Sequence, residues 1–567
     1  MLETNLLYYG DNLEILRRYI PDESVDLVYL DPPFNSDRNY NVIFKNEAGR
    51  KSDAQLLAFE DTWHWGPSAE ATYAYLTNTS RNEGRIPDTV STLIAALRKG
   101  IGENQMMAYL VEMSVRLVEL RRVLKQTGSL YLHCDPTASH YLRVILDSIF
   151  GPERFLSEIV WKRTAAHSSA LRPGPVHDVI LFYAKSEHHI WNQTYAAHDP
   201  EYVRSHYTQV DPDGRRWMPD NLTAIGTRQG SSGQLWRGYD VASKGNHWKF
   251  TIDHLEELDA KGMIYWPKKG GWPRYKRYLD QVHGTALQDV WTDIPPVNAM
   301  ARERLGWSTQ KPVELLERII QGSSNPNDVV LDPFCGCGTA LVAAQRLERR
   351  WIGIDITYLA IAVMRARLKD TFGLADVPVR GQPTEVEGAR QLAQSPEGRY
   401  QFQWWALGLV DAKPLGGVEK KGADRGVDGA ISFTDKNGEL NHVLVSVKSG
   451  HVNSAMVRDL KGTIEREKAA IGLFVTLEEP TKEMKLEADT AGLWRSDIWK
   501  KDFSRIQILT IGDLLVGKKP QLPPFVMPTY PQAPKLVAKA DQPGLFDSRQ
   551  LKVAEPHSHD YVAENDG

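Results

Sequence analysis

Val25-Asp26-Leu27-Val28-Tyr29-Leu30 leads directly into Asp31-Pro32-Pro33-Phe34, and this stretch decides how the chain folds around its first site. The apolar run predicts a buried parallel strand. The two prolines fix φ and lack N–H groups, so the chain must leave the sheet there. Asp31 and the Pro32 carbonyl are then fixed acceptors beside an aromatic ring, which suits a planar group with an exocyclic amine, such as a flipped-out base. The alternative is an ordinary turn.

A second Asp-Pro-Phe stretch lies far downstream, at Asp332-Pro333-Phe334-Cys335-Gly336-Cys337-Gly338-Thr339. A β-branched run precedes it and a helical pattern follows, so this loop should lie at the carboxyl end of a strand, where open α/β sheets bind ligands. The next strand ends at Asp355, at a distance typical of a carboxylate that holds ribose hydroxyls. An acid before the glycines disfavours a dinucleotide and favours a nucleoside that carries an amino acid, whose ammonium group Asp332 can hold. The alternative is a Rossmann-like turn with a structural Asp332.

Together these stretches resemble a β-class amino-methyltransferase of DNA that depends on S-adenosylmethionine, in which the catalytic segment precedes the cofactor loop. Thr309-Gln310-Lys311-Pro312 resembles the family segment just upstream of that loop, and Tyr8-Tyr9-Gly10-Asp11-Asn12 resembles its opening segment. The resemblance covers most of residues 1–372. Within the family, the chain is similar to the modification subunits of type III restriction systems. It implies an α/β fold with a Rossmann-like methyltransferase sheet and an inserted target-recognition domain.

The resemblance also implies roles for individual residues. Asp11 would lie near the cofactor adenine and Lys311 near the methionine carboxylate, while an Asp at position 31 usually accompanies adenine N6 rather than cytosine N4 methylation. The implied catalytic residues are Asp31, Pro32, Pro33 and Phe34, and the implied cofactor-binding residues are Asp11, Thr309, Lys311, Asp332, Phe334, Gly336, Gly338, Thr339 and Asp355. The expected function is site-specific methylation of adenine N6 in double-stranded DNA, in a restriction-modification or phage-defence context. Cytosine-N4 methylation and RNA methylation are the alternatives.

The amino-acid composition limits the class of protein to which the chain can belong. A chain of 567 residues with 42% hydrophobic and 25% charged residues is typical of a globular protein with several domains. Its three cysteines cannot form a disulfide framework, which suits a reducing cytoplasm. No apolar stretch reaches the length of a membrane span and the first residues do not form a signal peptide, so no membrane partner is expected. With a net charge of -4, any affinity for DNA must come from local patches.

Such a patch is predicted between Trp191 and Trp291, where cations alternate with aromatic residues. Arg and Lys can contact phosphates, so we expect Arg274, Lys276 and Arg277 to bind DNA. The alternative is a Trp-rich core with a solvated basic rim.

The C-terminal part predicts a hairpin, because Asn437-Gly438 separates two strand-like runs. A three-residue turn would place Asp428 opposite Ser446 and on the same face as Lys448, where an Asp and a Lys can bind a divalent metal and support phosphate hydrolysis. A two-residue turn would put them on opposite faces. This part resembles an Mrr-like restriction endonuclease domain of the PD-(D/E)xK class, with Asp428 as metal ligand, Lys448 as catalytic residue and Mg²⁺ as metal. Ser446 departs from the family's Glu or Gln, which leaves a non-catalytic module that binds DNA or a partner as the alternative.

The predicted organisation is therefore a methyltransferase core with a catalytic half (1–184) and a cofactor half (296–372), a target-recognition domain (185–295), a linker (373–398), an endonuclease-like domain (399–518) and a disordered tail (519–567). A homodimer and a separate restriction subunit are partners that the family resemblance leaves open.

Overall fold

The computed structural model describes residues 2–33, 63, 65–164, 173–196, 198–268, 270–282, 284–298, 300–307, 309–394, 396–415, 427–435, 439–524, 526–527 and 534. Phe34 and residues 535–567 of the predicted tail lie outside these ranges.

The strands are β1 (Leu6–Tyr9), β2 (Val25–Leu30), β3 (Leu124–Cys134), β4 (Phe155–Lys162), β5 (His177–Ala184), β6 (Tyr195–Ala196), β7 (Gln209–Val210), β8 (Arg216–Asn221), β9 (Thr223–Ile225), β10 (Asn246–Trp248), β11 (Ile264–Tyr265), β12 (Arg274–Tyr278), β13 (Thr285–Ala286), β14 (Val290–Trp291), β15 (Val329–Asp332), β16 (Arg350–Asp355), β17 (Val379–Arg380), β18 (Lys413–Pro414), β19 (Gly429–Thr434), β20 (Leu440–Lys448), β21 (Ile471–Thr476), β22 (Leu493–Arg495), β23 (Asp502–Ser504) and β24 (Ile506–Thr510).

The helices are α1 (Asn12–Tyr19), α2 (Pro67–Thr77), α3 (Thr79–Asn82), α4 (Asp88–Ile101), α5 (Gln105–Val123), α6 (Ser139–Phe150), α7 (Pro200–His206), α8 (Ile252–Ala260), α9 (Val313–Gly322), α10 (Thr339–Arg346), α11 (Tyr358–Phe372), α12 (Val386–Leu392), α13 (Pro396–Leu409), α14 (Ser454–Arg466), α15 (Lys482–Thr490) and α16 (Ile511–Leu515). None of the helices in the described ranges is long and apolar enough to cross a membrane.

A central sheet carries the predicted α/β fold, with the strand order β14-β4-β5-β3-β2-β15-β16-β1-β17. Its pairs are parallel except at β5, which runs antiparallel to β3 and β4. The predicted strand Val25–Leu30 is β2, which lies inside the sheet with all its residues buried. A parallel strand with helices on both faces needs apolar residues on both sides, which explains the hydrophobic run; its one charged residue, Asp26, is paired with Lys125 and accepts from Val329 N.

Two hydrophobic cores lie on opposite faces of this sheet. Val28 and Leu30 belong to the core that contains residues of α1, α5 and α6. Leu27 and Tyr29 point the other way and belong to the core that contains residues of α9, α10 and α11. The period of two along β2 therefore assigns each side chain to one helical layer.

Residues 193–288 form a compact unit of their own. Its main sheet has the order β11-β12-β8-β7, and α8 contributes Leu255 to a small core with Trp236 and Trp248. These two indoles are almost fully buried, as is Trp217 on β8. For these tryptophans the structure supports the alternative of a Trp-rich core.

The C-terminal sheet has the order β18-β19-β20-β21-β24. In the predicted hairpin, Gly429 pairs with Val445 and Thr434 with Leu440, which is the register of a three-residue turn. Asp428 therefore lies opposite Ser446, as predicted for that turn.

The predicted linker requires a correction, because residues 373–398 contain β17 and α12. β17 pairs with β1 and so extends the central sheet. Ala389 of α12 is buried in a core that joins Leu359 of α11 to Trp405 of α13 and Val445 of β20. The Pro and Gly residues of this segment thus mark turns between short elements. These elements pack against the central sheet and against the C-terminal domain.

Candidate active site

Three predicted carboxylates lie at one edge of the central sheet. Asp31 directly follows β2, Asp332 ends β15 and Asp355 ends β16, and these three strands are parallel neighbours. The carboxyl ends of parallel strands meet at the same edge of a sheet, where α/β proteins bind ligands. The structure therefore brings the two Asp-Pro stretches together as the sequence predicts.

Asp31 is held by Lys311, whose ammonium group donates to the Asp31 carboxylate. The family resemblance places this lysine near a cofactor carboxylate, whereas here it joins the catalytic segment to the segment before α9. Thr309 lies two residues before it and is partly exposed. The second proline carbonyl also has a partner, because Trp63 Nε1 donates to Pro33 O over 3.0 Å.

The glycine-rich loop requires its glycines at two positions. Gly336 and Gly338 have φ values of 52° and 75°, in the left-handed region that favours glycine. A Cβ atom on Gly338 would lie 2.8 Å from Met364, and one on Gly336 would lie 3.3 Å from the Trp307 indole. Close packing on these neighbours fixes the course of the loop, in which Gly336 is partly exposed and Gly338 is buried.

Side chains on both sides fasten this loop. Asp355 accepts from Gly336 N over 2.9 Å and from the backbone and hydroxyl of Thr357 over 2.8 Å each. From behind, the buried guanidinium of Arg367 donates to Cys337 O over 3.0 Å and to the Thr339 hydroxyl over 3.1 Å. Arg367 was not predicted, since an arginine within a helical pattern has no local signal for this role.

Asp332 is the most perturbed carboxylate of the site. Burial is the main cause that raises its pKa to about 8, with a smaller contribution from the negative charges of Asp31 and Asp355, although Phe334 N donates to it. Burial also raises the pKa of Asp355. A buried acid of this kind is poised to bind a cation, because a positive charge would compensate its ionised form.

Asp11 lies at the same edge, beyond β1, where it caps α1 by accepting from Leu13 N over 2.7 Å. It also accepts from Arg116 over 2.9 Å. The neighbouring Asn12 donates to Pro333 O over 2.8 Å and so connects this segment to the second Asp-Pro stretch. The opening segment, the catalytic segment and the glycine-rich loop thus converge at the ends of β1, β2 and β15, beside the end of β16.

The 193–288 unit, described by itself, has fewer free cations than its sequence suggests. Lys276, expected to contact DNA, pairs with Asp211 over 2.9 Å, and its side chain is only 17% exposed. Arg277 is more exposed and lies 3.9 Å from Asp220. Arg274 is partly exposed on β12, where it pairs with Asn221.

In the C-terminal domain, Asp428 is already bound by protein donors. Gln403 Nε2 donates to one carboxylate oxygen over 2.6 Å and Val447 N to the other over 2.5 Å. Lys448 Nζ lies 4.0 Å away, on the predicted face, and Ser446 is buried. Within the described ranges, no group of three or more His, Cys, Asp or Glu residues is placed to hold a metal ion. Glu419 and Asp424, two acids that precede Asp428 in the sequence, lie outside those ranges, and the residues that are described do not fit a Mg²⁺ site.

Comparison with known proteins agrees with this geometry. Residues 25–363, more than half of the chain, match the family model described as DNA methylase. The chain belongs to this DNA methylase family. Residues 416–515 match a second model, described as NACHT-associated inactive Restriction Endonuclease 1. This second match supports a restriction-endonuclease-like domain that is inactive, and it corrects the expectation of an Mrr-like nuclease.

Curated relatives of the chain come from several bacteria. The chain is 35% identical to the type II methyltransferase M.EcaI of Enterobacter cloacae over 262 residues, which cover 46% of this chain and 57% of that protein. It is 27% identical to the Mod subunit of the type III restriction-modification enzyme StyLTI of Salmonella typhimurium over 364 residues, which cover 61% of this chain and 50% of that protein. The chain thus spans about half the length of these relatives.

The central sheet also contains a row of buried polar side chains that sequence reasoning missed. Tyr29 Oη and His133 Nδ1 are 3.0 Å apart, and His133 Nε2 is 3.0 Å from Asp178. These residues lie on the neighbouring strands β2, β3 and β5, behind the catalytic segment. Their adjacency depends on the strand order, so no local pattern could have predicted it.

Proposed function

We propose that the chain transfers a methyl group from S-adenosylmethionine to adenine N6 at specific sites in double-stranded DNA, in a restriction-modification context. The observation that carries this proposal is the convergence of the Asp31-Pro32-Pro33 segment with the Asp332 loop at one sheet edge. One side of this edge offers fixed acceptors for an amine. The other offers the buried carboxylate of Asp332 and the partly exposed backbone at Gly336 for the cofactor.

The chemistry needs no covalent intermediate on the protein. Asp31 and the Pro32 carbonyl accept the two amine hydrogens and so direct the nitrogen lone pair at the sulfonium methyl carbon. When bound, S-adenosylmethionine would supply the methyl group: a carbon–nitrogen bond would form as the carbon–sulfur bond breaks, the electron pair of the broken bond would stay on sulfur, and the proton lost by the nitrogen would pass to water. Asp31 can accept a hydrogen bond from the target amine only if Lys311 releases the Asp31 carboxylate. The carboxylate of the cofactor is the group that would attract this lysine.

Adenine is favoured over cytosine by Asp31 and by the relative named as a type III Mod subunit. Long-read sequencing of DNA from cells that express the chain tests this directly, since it reports both the modified base and its sequence context. Expression of Asp31→Ala is the control. Modified cytosines would favour the cytosine-N4 alternative, and unmodified DNA would contradict the proposal.

The pH dependence of cofactor binding follows from Asp332. Because its pKa is raised to about 8, the carboxyl group must lose a proton before it can bind an ammonium group. Affinity for S-adenosylmethionine should therefore rise by up to tenfold per pH unit from about pH 6 to 8 and fall above that, where the ligand's own α-amino group loses its proton. Calorimetric titration across this range measures the effect.

Asp332→Asn is the matched control for this prediction. The amide cannot ionise, so the variant should bind weakly and lose the rise below pH 8. An equally steep rise in the variant would assign the titration to another group.

We place target recognition in residues 193–288, and expect Arg274 and Arg277 to contact phosphates. Changing both to Gln should lower the slope of log affinity for DNA against log salt by about 0.9 per lost contact. Lys261→Gln, at the residue directly after α8, is the control and should leave the slope unchanged. An unchanged slope in the double variant would move the DNA surface elsewhere. Lys276 is left out of the test because it is paired with Asp211.

For the C-terminal domain we propose a non-catalytic module that binds DNA or a partner. Its Asp428 carboxylate holds Gln403 and Val447, and Ser446 supplies only a hydroxyl, which is a weak ligand for Mg²⁺. Plasmid DNA should remain intact with Mg²⁺ or Mn²⁺, whether methylated or not. Cleavage that disappears in both Asp428→Ala and Lys448→Ala would instead show an active nuclease.

A further inference from the structure

Gln401, on α13, makes a contact that links the C-terminal part of the chain to the proposed cofactor site. Its carboxamide oxygen accepts from Tyr358 N over 3.1 Å and from the Tyr9 hydroxyl over 3.4 Å. The side chain is buried, with only 9% of the residue exposed. Gln401 thus reaches two segments that are distant in sequence, the end of β1 and the start of α11.

Both segments border the proposed cofactor site. Tyr358 begins α11 directly after the turn Asp355-Ile356-Thr357, in which Asp355 holds the backbone of Thr357. Tyr9 ends β1 and precedes Gly10, whose N–H donates to Asp355 O over 3.0 Å. The turn is therefore held at two points: the Asp355 carboxylate accepts from Thr357 N, and the Gln401 side chain accepts from Tyr358 N.

The contact satisfies a donor that a helix cannot satisfy itself. The first N–H groups of a helix have no intrahelical acceptor. Thr357 caps α11 by accepting from Ala360 N, and this leaves Tyr358 N to the side chain of Gln401. Loss of that acceptor would leave a buried N–H unpaired next to the residues that precede α11.

Packing fixes the position of α13 against this turn. A Cβ atom on Gly408 would lie 2.7 Å from the Tyr358 ring, so the helix approaches that ring as closely as a glycine allows. Tyr358 is buried and its ring meets that of Tyr9 edge to face at 5.9 Å. Phe402 and Trp405 of α13 share a core with Leu359 and Val363 of α11.

We propose that Gln401 is a positioning residue for the cofactor, through which α13 and the C-terminal domain behind it hold the Asp355 turn in its binding geometry. This inference rests on the proposed function. It gives the endonuclease-like domain a role in cofactor affinity that requires no nuclease chemistry.

The test compares Gln401→Met, which keeps the length of the side chain but removes the acceptor, with Gln401→Glu, which keeps an acceptor oxygen. Gln401→Met should raise the Kd and the KM for S-adenosylmethionine about 5- to 10-fold, as expected for a lost helix cap, and leave kcat and the KM for DNA unchanged. Gln401→Glu should stay within about threefold of wild type, since a carboxylate also favours a helix N-terminus. The matched control is Gln403→Met on the same helix, which loses a contact to Asp428 and should leave cofactor affinity unchanged.

Gln401→Asn is the second variant if Gln401→Met fails to fold. The Asn side chain is one methylene shorter than Gln, so its amide oxygen cannot reach Tyr358 N. It should weaken cofactor binding in the same way. Wild-type affinity in the folded Met or Asn variant would overturn the proposal, as would an equal loss of kcat and DNA affinity, which indicates general destabilisation. Failure of the wild-type protein to bind S-adenosylmethionine would instead refute the proposed function itself.

Discussion

Asp31→Ala should reduce methyl transfer by at least about 100-fold, because removal of one preorganised hydrogen-bonding group from a reaction centre costs two to three orders of magnitude. Asp31 is the acceptor that would hold the target amine, and without it the lone pair is no longer directed at the methyl carbon. The measurement is single-turnover transfer of a labelled methyl group to DNA at saturating cofactor.

Cofactor affinity separates this role from a structural one. Among the described residues, Asp31 bonds Lys311, whereas Asp355 and Arg367 fasten the glycine-rich loop. The affinity of Asp31→Ala for S-adenosylmethionine should therefore stay within a few fold of wild type. Near wild-type turnover in the purified variant would refute the catalytic assignment.

Trp405→Ala should lower the free energy of unfolding by about 3–5 kcal/mol, as for other large-to-small substitutions in a core. Trp405 is 1% exposed and lies in the core that joins α11, α13 and β20. Because one core serves the cofactor half and the C-terminal domain, both should unfold in the same transition. Thermal unfolding followed by tryptophan fluorescence and by loss of cofactor binding measures this.

Trp499→Ala is the matched control, since that indole is 41% exposed. A surface substitution of this kind usually changes stability by no more than about 0.5 kcal/mol. Two separate transitions in Trp405→Ala, with cofactor binding retained after the C-terminal domain unfolds, would contradict a shared core.

Much of the candidate site could be predicted because its signals are local. A buried strand that stops at two prolines, and a strand that runs into a glycine-rich loop, each specify a strand end, and parallel strands place their carboxyl ends together. The hairpin was also predicted from a local signal, but its register was predicted only for a turn of given length, and the strand pairing decided in favour of the three-residue register.

Interpretations that depended on the partner of a charged or aromatic side chain were less successful. Lys276 had the sequence context of a phosphate contact, yet it lies against Asp211, 65 residues away. The tryptophans around it had the pattern of a nucleic-acid surface, yet Trp236 and Trp248 are core residues. Composition shows that such residues are present but not which face of a small domain they occupy.

The sequence by itself determined the α/β class, the order of the methylase segments and the carboxylates at the edge of the sheet, because periodicity, proline and glycine act over a few residues. Only the tertiary structure decided that Lys311 pairs with Asp31, that Asp428 is bound by Gln403, and that Gln401 caps the helix after Asp355. Each of these contacts joins residues 25 or more positions apart in the chain, and Tyr9 and Gln401 are separated by 392. Such pairs form only when separate elements pack into one core, so the physical information that specifies them is distributed over the whole fold.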